Sequence, residues 1–294
     1  MRPPVFVIGN PRSGTTLLRL MLNNHRNIVV PPECGFAVWW YAKYKDWSKD
    51  SCQGHHCLDR FLKDLMTSKK IETWNLDFGA LGKYIQSVKP FNYAELVSCI
   101  YIFFGTSTGK TFNRWGDKNN FYIQRVDTLH AMFPSASYIH IIRDGRDVAC
   151  SYKNLAAMQL HSKYAPNLPD NIVDIAIDWT KNIETAISSF NVIGWDRIHE
   201  VHYEDLVADS EFELQKICDF LDEPYDDSML SYYVHNQAEH QEPVEFLQWK
   251  SKTLESPTVS QVGKFQFELT NDEIKQFESI ANHVLARYRY ECVS

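Results

Sequence analysis

The chain has 294 residues, a formal net charge of −7, 44% hydrophobic residues and 23% charged ones. That length suits one large α/β domain or two small ones, and the composition is that of a globular chain able to bury a sizeable core. The acidic balance argues against a general binder of nucleic acid or membrane surfaces, although a local basic pocket can hide inside an acidic average.

Met1 to Pro4 leads directly into a strand-like run, with no signal-peptide pattern. Val5–Gly9 is short, β-branched and closed by glycine, which predicts a buried strand. Leu17, Leu18, Met21 and Leu22 then recur at helical spacing, so strand, turn and helix follow in order. A second short strand precedes Pro31-Pro32-Glu33. Residues 35–111 are aromatic-rich with helical patterns and little strand signal, and read as a helical insertion over the mouth of a sheet. Leu96 to Phe104, the longest apolar stretch, is too short to cross a bilayer and predicts a buried helix. Tyr138–Ile142 is a strand and Asp147 to Met158 a helix, with only four residues between them. Ile172, Ile175, Ala176, Trp179, Ile183, Ala186, Ile187 and Phe190 mark a long amphipathic helix. Ile198–His202 is another strand, before a helix over Glu211 to Leu221. Strands alternating with helices imply parallel βαβ units. With no linker or repeat, 1–294 reads as a single domain.

Gly9-Asn10-Pro11-Arg12-Ser13-Gly14-Thr15-Thr16 joins the first strand to the first helix. Amides of such a loop, backed by the positive end of the helix dipole, form a cradle for an anion. The glycine spacing is that of the G-x-x-x-x-G-K-[ST] phosphate loop, but Thr15 stands where the lysine belongs. A nucleoside triphosphatase uses that lysine with magnesium to neutralise β and γ phosphates. One cation, Arg12, with hydroxyl and amide donors suits a less charged terminal group.

At this point the chain resembles the sulfotransferases that use 3'-phosphoadenosine 5'-phosphosulfate (PAPS), nearer the tyrosylprotein and bacterial branch than the cytosolic phenol branch. Pro11 to Arg19 looks like that branch's 5'-phosphosulfate loop. Ile142-Arg143-Asp144-Gly145-Arg146-Asp147 with Ser151 looks like its 3'-phosphate site, gripped by Arg143 and Ser151. His202-Tyr203-Glu204-Asp205-Leu206 is similar to the segment whose tyrosine lies near the adenine. Val262-Gly263-Lys264-Phe265 is similar to the late segment closing over the cofactor. The resemblance implies a P-loop-like α/β three-layer sandwich with a central parallel sheet. It also implies PAPS as co-substrate with no metal, and an acceptor with a free hydroxyl on a peptide tyrosine, a carbohydrate or a small molecule.

The same resemblance makes Glu33, past His25, the catalytic base, and Lys118 the lysine that holds the bridging oxygen as the bond to sulfur breaks. Cofactor-binding roles pass to Arg12, Ser13, Gly14, Thr15, Thr16, Arg143, Ser151, Tyr203, Gly263 and Lys264, and Ser256 or Ser260 is the late serine. Apolar neighbours Phe36, Trp39 and Trp40 are expected to raise the Glu33 pKa. Trp39, Trp40, Tyr41, Tyr44 and Trp47 suit an aromatic acceptor pocket or a packed helix equally well. Cys52-Gln53-Gly54-His55-His56-Cys57 has zinc-ligand types but no second cluster, and reads as an exposed loop. Glu239, His240, Glu242 and Glu245 read as a solvated face. Seven scattered cysteines point to reduced thiols and a cytoplasmic setting, with no nucleic-acid partner and a homodimer left open. The rival readings are a P-loop kinase or other nucleotide-binding enzyme, and a non-catalytic nucleotide-binding module.

Overall fold

The computed structural model describes residues 1–48 and 55–293, and the side chains of all of these but 55 and 56. Five strands form its sheet: β1 (Val5–Ile8), β2 (Ile28–Val29), β3 (Arg114–Lys118), β4 (Ser137–Ile142) and β5 (Ile198–His202). Their spatial order is β2-β3-β1-β4-β5, and every neighbouring pair is parallel. β1 sits in the centre, with Val5 level with Gly116 of β3 and with Ser137 of β4.

Side chains alternate across the strands, as the two-residue period of a strand requires. Phe6 and Ile8 of β1, with Tyr138 and Ile142 of β4, enter one apolar cluster. Val5 and Val7, with Ile139 and Ile141, enter a second on the other face. Helix Ile172–Ile193 supplies Ile175, Trp179 and Ile183 to the first cluster, and helix Asn271–Arg287 supplies Phe277 and Leu285. Helices Thr15–Asn24 and Ser210–Phe220 supply Leu18, Met21, Leu214 and Ile217 to the second. A parallel sheet buried on both faces explains why its strands read as near-continuous apolar runs. The layers are helix, sheet, helix, as expected.

Between β2 and β3 the described segments are helical, including His55–Met66, Phe78–Val88 and Tyr93–Ser107. The last contains the stretch Leu96 to Phe104, and no described helix is long and apolar enough to cross a membrane. The aromatic run decides for packing over a pocket. Tyr44 and Trp47 are buried against Phe61, and the Trp40 indole N–H donates to Ser68 Oγ at 2.8 Å. Of the cysteines, 34, 99, 150, 218 and 292 are free thiols. Cys57 is disulfide-bonded, which corrects the expectation that all the thiols are reduced. Cys52, Gln53 and Gly54 lie outside the described residues.

The turn from β4 into helix Gly145–Ala156 is held from both sides. Arg146 pairs with Asp144 at 2.7 Å and with Glu278 at 2.6 Å, all three buried. A Cβ on Gly145 would lie 2.6 Å from both Phe277 and Trp179. Gly145→Ala is therefore expected to lose about 1–3 kcal/mol through overpacking, read as a lower urea midpoint with an unchanged slope.

Candidate active site

Parallel strands place their carboxyl ends on one edge of the sheet, where α/β folds bind ligands. The loop after β1 turns sharply there: Arg12 is left-handed at φ 69° and Gly14 at φ 93°. At Gly14 a Cβ would lie 2.5 Å from the Tyr203 ring, so only glycine fits. Helix Thr15–Asn24 starts with no side-chain cap. Its first amides therefore face the cleft without an intrahelical partner.

A cavity of about 730 Å³ opens at this edge, lined by Arg12, Gly14, Thr15, Thr16, Glu33, Arg143, Ser151, Tyr203 and Lys264 among others. The structure thus brings together residues separated by up to 257 positions in the chain, Pro11 and Glu268 (268 minus 11). Seven basic side chains line it (Arg12, Lys69, Lys70, Arg143, Lys250, Lys252, Lys264) against three acidic ones (Glu33, Glu255, Glu268). The basic pocket is real, inside a chain of net charge −7.

Arg12 and Arg143 stand together. Arg143 Nη1 donates to the Arg12 carbonyl at 3.0 Å and Nη2 to the Gln261 carbonyl at 2.6 Å, with its guanidinium 4.5 Å from the Tyr203 ring centroid. Arg12 Nε donates to Ser151 Oγ at 2.9 Å and Nη1 to the Trp249 carbonyl at 3.0 Å. Neither arginine makes an ion pair among the described residues. Burial, and then the charge of Arg143, push the Arg12 pKa down. Lys252 is pushed down by burial and then by Lys264, Arg143 and Arg12. Arg143 is buried and Arg12 half-buried, and such crowded guanidiniums without a carboxylate partner are suited to an anion. Arg143 Nε and Ser13 Oγ are buried and unpartnered, which leaves donors at the loop and at the strand end.

Glu33 follows β2 and lies on the cavity wall, but its surroundings differ from the expectation. Lys118 Nζ is 2.8 Å from Glu33 Oε2, Lys70 Nζ is 2.8 Å from Oε1, and Lys250 Nζ is 3.9 Å from Oε2. Burial pushes this carboxyl up, but the charges of Lys118, Lys70 and Lys250 outweigh it and hold it well below the usual carboxylate range. The aromatic residues proposed to raise it are not what governs it. Lys118 ends β3 and is 1% exposed, behind Glu33 rather than on the cavity wall. Lys70 and Lys250 carried no pattern in the sequence that would single them out.

One further expectation is corrected. Glu242 is not a solvated residue: it is 1% exposed and pairs with Arg19 at 2.8 Å and Lys250 at 2.5 Å. Glu239, His240 and Glu245 are exposed. Gly263 is not on the cavity wall; its N–H donates to Asp147 Oδ2 at 2.8 Å in a turn at φ 70°. Phe265 N–H donates to Asp147 Oδ1 at 3.0 Å, so Asp147 pins the segment that carries Lys264 to the cavity. Ser13 is buried beneath the loop. Ser256 and Ser260 both line the cavity. His25, buried, bonds the Pro224 carbonyl through Nε2 at 2.8 Å. Asn120 Oδ1 accepts from Thr15 Oγ1 at 3.0 Å, tying the segment after β3 to the loop.

The model of the sulfotransferase family matches residues 3–227. The chain belongs to that family. Protein-tyrosine sulfotransferase A of Caenorhabditis elegans is 24% identical over 237 residues, covering 78% of this chain and 52% of that protein. An omega-hydroxy-beta-dihydromenaquinone-9 sulfotransferase of Mycobacterium bovis is 24% identical, covering 73% of this chain and 61% of that protein. This sulfotransferase-family chain spans about half the length of the first curated relatives it matches. The sulfotransferase domain of the curacin biosynthetic pathway shares the fold, with a TM-score of 0.63, 19% identity and 99% of each chain covered. That of the Synechococcus PCC 7002 olefin synthase gives a TM-score of 0.58 at 25% identity, covering 96% of each.

Removing one member of the buried charge network leaves its partners uncompensated. Glu242→Gln is expected to cost about 3–5 kcal/mol in urea unfolding, whereas Glu245→Gln, exposed, should stay within about 0.5 kcal/mol. Burial raises the Glu242 pKa, but Lys250, Arg19 and Lys118 bring it below the ordinary value. Its stabilisation is therefore present above the unfolded carboxyl pKa of about 4.3 and lost as pH falls through the folded value. Glu242→Gln should accordingly lose less stability than wild type between pH 6 and pH 3.

Proposed function

We propose that this chain transfers a sulfuryl group from PAPS to an acceptor hydroxyl. The observation that carries the reading is the pair of guanidiniums without carboxylate partners, Arg12 and Arg143, in one cavity with the buried carboxylate Glu33. A donor carrying phosphates at two positions of one adenosine needs two anion sites. The unpartnered amides opening helix Thr15–Asn24, with Arg12, supply one. Arg143 with Ser151 supplies the other, Arg143 offering a planar fork suited to phosphate. Tyr203, stacked under Arg143, offers an aromatic face to the purine.

PAPS, when bound, supplies a sulfuryl group on a 5'-phosphate leaving group. Transfer then needs positioning, a base for the acceptor proton and cations for the departing oxygen. Glu33 is the base. Its low pKa makes it a weaker base than one tuned near neutrality, but keeps it ionised at every working pH. Lys118, fixed by burial and by Glu33, keeps a cation beside that carboxylate. Leu155, Met158, Leu168 and Trp249 give the cavity an apolar wall for the acceptor. The relatives named for protein tyrosine and for an omega-hydroxy-beta-dihydromenaquinone-9 support the reading of an acceptor hydroxyl on an aromatic ring or an aliphatic carbon.

A magnesium-dependent kinase fits the residues less well. Thr15 stands where the phosphate-loop lysine would be, and its hydroxyl is engaged by Asn120. Asp117, the carboxylate at the end of the adjacent strand, is fully buried and accepts the Tyr101 and Tyr122 hydroxyls. Burial pushes its pKa up to about 7, against those two hydrogen bonds.

Incubation with PAPS and a panel of a tyrosine peptide, a phenol and an aliphatic alcohol, read by mass shift, is expected to show sulfation of at least one. Glu33→Gln should reduce that turnover by about 100-fold or more. Its affinity for adenosine 3',5'-bisphosphate in calorimetry should change little, and unchanged turnover would remove Glu33 from the chemistry. In wild type, the acid limb of kcat/KM should lie below about pH 4, the ordinary carboxylate value, because the surrounding lysines depress Glu33. A limb near pH 6 would contradict that environment.

A further inference from the structure

The charge around Glu33 does not balance. The ion-paired network holds two carboxylates, Glu33 and Glu242, against four cations, Arg19, Lys70, Lys118 and Lys250. That leaves a formal surplus of two positive charges (four minus two), in a set of side chains none more than 14% exposed. A surplus of that kind is costly in a buried setting unless an anion joins it.

The four cations are not equally able to meet an incoming anion. Arg19 is committed to Glu242 and to the carbonyls of Val30 and Gln241. Lys118 lies behind Glu33 and off the cavity wall. Lys250 is on the wall but anchored to Glu242 at 2.5 Å. Lys70 is on the wall, its only carboxylate partner among the described residues is Glu33, and its ammonium rests 5.1 Å from the Phe246 ring centroid. Its backbone is fixed in the left-handed region at φ 75°, with its carbonyl accepting from the Thr73 amide and hydroxyl. A side chain of four methylenes on a fixed backbone can turn about Phe246 without moving the chain.

We propose that Lys70 is a second catalytic cation, which leaves Glu33 Oε1 when the donor binds and holds the donor's sulfuryl oxygens through the transfer. The inference rests on the sulfuryl-transfer reading above. The acceptor oxygen forms its bond to sulfur as the bond from sulfur to the 5'-phosphate oxygen breaks and its electron pair stays on that oxygen. The acceptor proton goes to Glu33. At that moment Glu33 loses its charge and can no longer draw Lys70 back, so the surplus positive charge rises as negative charge develops on the leaving oxygen. The exchange of one partner for another makes the cation strongest where the transition state needs it.

Calorimetry with two probes, PAPS and adenosine 3',5'-bisphosphate, tests this on the full chain without any acceptor. The probes differ by the sulfuryl group alone. Lys70→Met should bind the bisphosphate within about 2-fold of wild type and PAPS about 10-fold more weakly, the size expected for a lost hydrogen bond to a charged group. Lys70→Arg, which keeps the charge, should hold PAPS within about 3-fold. Equal weakening of both probes by Lys70→Met, no weakening of either, or a loss in Lys70→Arg as large as in Lys70→Met overturns the assignment. Failure of wild type to bind either probe is a different result, and takes the donor reading down with it.

Discussion

Five parallel strands must all end on one edge of the sheet, and the chemical groups of this chain are attached at or beside those ends. The loop after β1 carries Arg12, β2 leads into Glu33, β3 ends in Lys118, β4 leads into Arg143 and β5 into Tyr203. Parallel pairing fixes these at one level, because Val7 is level with Lys118 and Ile8 with His140. No single segment contains the site. It exists only when the sheet is assembled, with both faces covered by helices.

Burying cations at such an edge creates a demand that the chain only partly meets. Around Glu33, two carboxylates, Glu33 itself and Glu242, answer some of the positive charge, and each would be a liability without its lysine or arginine partners. Across the cavity, Arg12 and Arg143 are answered by backbone carbonyls, a hydroxyl and an aromatic ring rather than by carboxylates. The two sides touch at consecutive residues. The Trp249 carbonyl takes Arg12, and Lys250 reaches Glu33 and Glu242. This segment joins the Arg12 end of the cavity to the Glu33 end.

How far the sequence discloses this depends on whether a signal is local. The strands around Val5, Tyr138 and Ile198, and the helix through Trp179, follow from short-range patterns, and the structure places them within a few residues of their expected bounds. Arg12 and Arg143 stand at strand ends in recognisable loops, so their convergence follows from parallel topology. Lys70 and Lys250 reach Glu33 through contacts spanning 37 and 217 positions (70 minus 33, 250 minus 33), for which no period or spacing exists. The Glu33 environment was misjudged for the same reason: its sequence neighbours are aromatic, but its spatial neighbours are lysines. Glu242 sits among other acidic residues in the chain and reads as solvated until Arg19 and Lys250 are seen around it. Gly263 lies in a matching segment, yet its amide serves Asp147 and the turn rather than the cavity.

The account depends on two phosphate positions at adjacent strand ends of one cavity. A crystal structure of the chain with adenosine 3',5'-bisphosphate tests that directly. It should show one phosphate on Arg143 and Ser151, the other on the amides opening helix Thr15–Asn24, and the Arg12 guanidinium turned from the Trp249 carbonyl toward a phosphate. A ligand bound outside this cavity, or bound with neither phosphate on Arg143, would contradict it.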